Sequence, residues 1–197
     1  MNSKKSLSLG ISIALLVLAV FARLARLETQ FANVTPFFAV SVLVGFLMGR
    51  ERAWLSGLMA VAAMFIGDVV LGFHWTMAFV YAGLALAATI GAVSSSFLPS
   101  QKSWMVRFAG AFMTCGLAST TFFIISNIGV WLVGGLYPQT LAGLGTCFAM
   151  AIPFFTKSLS ADLIYGTSFL LIATWAVEAF KPTIKSDVSV SKVSHGR

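Results

Sequence analysis

Six side chains carry most of the chemistry this chain can offer: Asn33, Asp68, His74, Asn127, Trp131 and Lys157. Asp68 stands inside an apolar run. A carboxylate in such a run is costly, and it marks either a ligand contact, a proton-coupling site or an ion pair, here with Arg23 or Arg26. His74 is the one histidine outside the C-terminal tail, with Trp75 beside it and Tyr81 two turns on. It reads either as an interfacial side chain among belt aromatics or as an imidazole that bonds a metal centre inside a cofactor. Asn127, Trp131 and Tyr137 suit the wall of a pocket for a flat, largely apolar ligand, and equally a membrane-interface belt. Lys157 and Asp162 fall at the predicted start of the last helix, where the dipole favours Asp162. Lys157 then lies on the outer side, against the usual placement of positive charge, which points to function. Asn33 or Thr35 is placed to cap a helix that has Pro36 in its first turn.

No nucleophile elbow, zinc signature, phosphate-binding loop or paired-carboxylate motif accompanies these residues. No catalytic residue or resident metal is therefore assigned, and the expectation is that the protein is not an enzyme. Cys115 and Cys147 lie singly in apolar runs and read as small core residues.

The elements that position these groups are apolar segments. The chain is 58% hydrophobic and 10% charged, with mean hydropathy +0.93. A soluble domain carries about 25% charged residues, so this is an integral membrane protein. The net charge of +7 sits on short segments between apolar runs. That is a pattern of membrane orientation and excludes a nucleic-acid groove.

Helices are predicted over residues 7–27, 37–49, 54–73, 77–98, 104–125 and 159–180. The opening MNSKK and apolar run resemble a secretory signal, but the segment is expected to be retained as the first helix. The apolar stretch 140–155 is short for a span and contains Pro153, so it is expected to be re-entrant or interfacial. Spanning there would give seven helices and an outer tail. Lys181, Lys185, Lys192 and Arg197 in the tail favour six, with both termini cytoplasmic. The expected architecture is an all-α, polytopic domain over 1–180 with six transmembrane helices, and a disordered tail over 181–197. Three outer loops, 28–36, 74–76 and 127–157, then gather the unusual polar and aromatic residues on one face.

NVTPFFAV (33–40), GDVVLGFHWTMAFVY (67–81) and SNIGVWLVGGLYPQTLAGLGTCFAMAIPFF (126–155) resemble a family of small bacterial membrane proteins assigned to transport. That family is similar to the S components of energy-coupling factor (ECF) transporters. The resemblance implies a six-helix protein of the bacterial inner membrane that binds a vitamin or metal from outside. It then docks on a transmembrane T subunit with two ATPases, or acts alone. Solitary cobalamin-binding S components place a Cys near the top of their third helix. This chain has none there, and His74 lies in about that region, so cobalamin is one transported ligand the resemblance allows. S components also carry an Ala-x-x-x-Ala docking pair on their first helix, for which Gly10 and Ala14 are the nearest match.

The expected function is uptake of a small vitamin or cofactor-like nutrient through an outward-facing pocket. The expected partners are the small-molecule substrate and membrane lipid, without nucleic acid. Two rivals are a small intramembrane enzyme using Asp68 and His74 as acid and base, and a ligand-free assembly protein.

Overall fold

The computed structural model describes residues 2–25, 36–100 and 103–179. Among these the fold is all-helical: α1 (Asn2–Ala25), α2 (Phe37–Met48), α3 (Ala53–Leu71), α4 (Met77–Ser94), α5 (Trp104–Val133) and α6 (Leu141–Ala179). Five are long and apolar enough to cross a membrane, and α2 is the short one. The chain is a multi-pass membrane protein, with these six α-helices among its described residues. Arg26, Glu28, Asn33 and the tail lie outside the described residues.

The organising element is α2. It is apolar on every side and buried along nearly its whole length. Phe37, Val40, Val44 and Met48 recur at helical spacing and pack with Leu16, Ala19 and Val20 of α1 and with Ala60 and Ala63 of α3. The opposite face offers Val42, Leu43 and Phe46 to Ala111, Cys115 and Ala118 of α5 and to Leu170 and Ala173 of α6. A helix buried all round is a central helix. Its single buried hydroxyl, Ser41, donates 2.9 Å back to the Phe37 carbonyl.

Two glycines let α2 and α4 touch at the backbone. A Cβ on Gly45 would overlap the Ala88 carbonyl, and one on Gly91 would overlap the Val42 carbonyl. Small residues at such crossings let membrane helices gain packing where water supplies no driving force.

The pairings fix the directions of the other helices. Gly83 meets Phe122 and Gly129 meets Phe79, so α4 and α5 run antiparallel. Ser119 bonds Asp162 and Arg107 bonds Glu178, so α5 and α6 do too. Arg107 and Glu178 form a two-pronged pair at 2.7 Å in each arm where α5 begins and α6 ends.

The stretch 140–155 is not a separate re-entrant helix. It is the first part of α6, which runs unbroken through Pro153. Proline removes one helical hydrogen bond, which membrane helices tolerate when neighbours support them. Here α5 supplies that support: Phe123 packs edge-on to Phe148 and stacks on Phe155 at 4.2 Å, and Cys147 Sγ lies 3.5 Å from the Asn127 carbonyl. Thr140 caps the start, its hydroxyl accepting from Gly143 N–H at 3.1 Å. Asp162 therefore sits in the middle of α6 and has no part in the dipole of its first turn.

Gly91→Leu is expected to cost ~2 kcal/mol or more, since overlap with backbone cannot be relieved by a rotamer change. Gly10→Leu, where an added Cβ meets nothing within 4 Å, is expected to stay within about 0.5 kcal/mol of the parent. Thermal unfolding of the two purified variants in the same detergent measures the difference.

Candidate functional site

The first turn of α2 stands beside the middle of its neighbours. Phe38 meets Phe122 with ring centroids 5.5 Å apart, and Gly166 approaches Ala39. From Phe122, α5 continues to Val133, roughly 16 Å further. Nothing from α2 fills the space beyond its first turn. A cavity of ≈ 590 Å³ occupies that space.

All six helices contribute to it: Arg23 of α1, Phe37 and Phe38 of α2, Met64 of α3, Leu84 of α4, Ser119 to Asn127 of α5 and Ala151 to Asp162 of α6. The sequence spacing explains which side chains face in. Ser119, Phe122, Phe123 and Ser126 lie on one face of α5 at i, i+3, i+4 and i+7. Ala151, Phe155, Ser158 and Asp162 do the same on α6 at i, i+4, i+7 and i+11. The lining is aromatic with a few hydroxyls, one amide and two charged groups.

Asp162 is only 9% exposed. The Ser119 hydroxyl donates to its Oδ2 at 2.8 Å. No cation pairs with it among the described residues.

Arg23 is held differently. Its Nη2 lies 2.7 Å from Asp68 Oδ1, a close charge contact whose angle falls short of an aligned hydrogen bond. Tyr81 donates its hydroxyl to Asp68 Oδ2 at 2.9 Å. Gly67 makes the room: a Cβ there would stand 2.6 Å from Arg23 Nη1. That Nη1 is buried without a hydrogen-bond partner among the described residues. Asp68 is thus the partner of Arg23, one of the two pairings its position suggested. It reaches the cavity only through that arginine.

The six predicted site residues part company. Asn127 lines the cavity, its amide donating 2.8 Å to the Phe123 carbonyl. Asp68 stands one side chain behind the wall. His74 is exposed in the turn between α3 and α4, its Nδ1 2.7 Å from the Thr76 hydroxyl. Trp131 pins the α5–α6 turn by donating its indole N–H to the Pro138 carbonyl at 2.9 Å. Lys157 is exposed, on α6 but off the face that lines the cavity. Asn33 lies outside the described residues. Arg23, Ser119, Ser126, Ser158 and Asp162 are the lining polar groups that the sequence analysis did not place in the pocket. The polar–aromatic spacing over 151–162 carried the signal, and dividing that stretch at Pro153 hid it.

A family model matches residues 4–184, and the chain belongs to that family of unknown function, DUF6580. No curated protein and no solved structure matches it.

Removing one partner of a buried ion pair leaves the other uncompensated, which costs about 3–5 kcal/mol. Arg23→Leu alone is expected to destabilise the protein by about that much. Arg23→Leu combined with Asp68→Leu is expected to recover most of the loss. A double-mutant cycle on thermal unfolding tests the coupling, and additive losses would mean that the pair carries none.

Proposed function

We propose that this protein binds a small, flat, nutrient-like molecule in the cavity above α2 and serves its uptake across the bacterial inner membrane, with both termini cytoplasmic. The carrying observation is the cavity itself. A space of ≈ 590 Å³, walled by phenylalanines and a few directed polar groups, is what a small-molecule site needs. Arg23, Ser119, Asn127, Ser158 and Asp162 are the polar contacts of this reading.

The resemblance to S components supports transport as the purpose of binding. In that picture the cavity takes its ligand from the outer side, and reorientation of the protein releases it inside. Positive charge at Arg50, Arg52 and Arg107, on the side opposite Arg23, supports that orientation. Gly10 and Ala14 face outward on α1, where a Cβ at Gly10 meets nothing within 4 Å. A T-subunit helix docking there would find a smooth surface. The absence of any nucleotide-binding motif leaves energy coupling to such a partner or to a solitary mechanism. The cavity suits a single vitamin-sized ring better than a corrinoid, and His74 stands outside it. The enzymatic alternative draws no support from Asp68 and His74, which keep separate partners, Arg23 and Tyr81 for one and Thr76 for the other.

Native mass spectrometry of the purified protein is expected to find a bound small molecule. Ala151→Trp, which fills the cavity, is expected to lose it. His74→Ala is expected to keep it, and loss with His74→Ala would restore the metal-centred ligand. A protein that never carries or binds a small molecule would remove this reading and favour the assembly role.

A further inference from the structure

Among the described residues the charges around the cavity do not balance, and the imbalance says what the ligand carries. Two of those residues with formally charged side chains line it, Arg23 and Asp162. Arg23 is already answered by Asp68 at 2.7 Å. Asp162 is answered, among the described residues, only by a neutral hydroxyl. Lys157, the nearest basic residue along α6, is exposed and off the lining face. The first turn of α2, whose Phe37 and Phe38 line the cavity, directs a helix N-terminus at it. That terminus is equivalent to roughly half a positive charge and cannot match a full carboxylate.

A carboxylate withdrawn from water is tolerated when a counter-charge meets it, and intramembrane carboxylates commonly mark substrate sites. The lining favours the same sign. Phe122, Phe123 and Phe155 line the same cavity as Asp162, and aromatic faces attract cations and repel anions.

We propose that the cavity selects cations: small, flat molecules with one positively charged nitrogen, such as an amine, an amidine or a protonated heterocycle. The nitrogen sits against Asp162, and the ring lies among the phenylalanines. Ser119 positions the carboxylate by holding Oδ2, which leaves Oδ1 for the ligand. This rests on the ligand-binding reading above and adds the charge class to it.

The test uses the full chain in nanodiscs and three probes of matched size: 2-phenylethylamine, 2-phenylethanol and 3-phenylpropionate. Affinity is read by calorimetry. The amine is expected to bind ~30-fold or more tightly than either of the others, the ratio typical when a buried charge loses its partner. Asp162→Asn is expected to abolish that preference while still binding the alcohol, and Asp162→Glu to retain it. Equal binding of amine and alcohol by the parent protein, or preference for the carboxylate, overturns the charge assignment and leaves the pocket standing. The same holds for an amine preference that survives in Asp162→Asn. If no probe binds, the charge assignment falls, while the ligand-binding reading falls only if native mass spectrometry also finds no bound small molecule.

Discussion

The length of one buried helix governs this structure. α2 has 12 residues, between Pro36 and Gly49, and spans about 18 Å, whereas the hydrocarbon layer is about 30 Å thick. Proline disfavours helical geometry in the residue before it, so Pro36 marks where the central helix begins. Gly49, at φ 78°, ends it in a conformation that favours glycine. The other five helices are longer and pack around this short core. The shortfall falls on one side, over the first turn of α2, and there the described residues leave a cavity. Backbone donors at that turn need polar company at membrane depth, which a cavity with serines and charged groups can give.

The charged groups follow the same geometry. Arg107 and Glu178 satisfy each other where α5 begins and α6 ends. Arg23, Asp68 and Tyr81 form a network where α1 and α3 end and α4 begins. Each ties helices together at a level where they would otherwise meet through apolar contacts alone. Asp162 ties nothing to a cation. It joins α6 to α5 through one serine, at the depth where the central helix gives out. A carboxylate kept for stability would be expected to have a cationic partner, as Asp68 and Glu178 have.

Much of the fold was legible because membrane composition leaves few options. Five segments of sufficient length, a sixth shorter one and the basic turns give the helix count. The ends of the first four helices follow approximately from Pro36, Pro99 and the basic turns, whereas α5 runs past its expected end at 125 to Val133 and α6 begins at Leu141 rather than at 159. The Arg23–Asp68 pair was legible as one of two partners for an acid that needed one. The site was less so. His74 and Trp131 are conspicuous as residue types, yet each is engaged locally, by Thr76 and by Pro138. Residue type alone does not separate a turn fastener from a pocket wall. Pro153 misled in a different way. A proline usually ends a helix, but aromatic stacking between Phe123 and Phe155 carries α6 past it. Once residues 141–179 are one helix, Ala151, Phe155, Ser158 and Asp162 fall on one face.

Among the described residues, the helix pairings differ from one side of the cavity to the other. α6 packs on α5 and α2, and it forms no comparable interface with α1 or α3. Beyond the first turn of α2, α5 is thus the helix that backs α6. The two hydrophobic clusters lie around α2 and draw on both α1 and α6: Phe169 of α6 packs against the one that holds Leu16, and Leu15 of α1 against the one that holds Leu170. The short helix thereby separates the part that holds the fold together, around α2, from the cavity above its first turn.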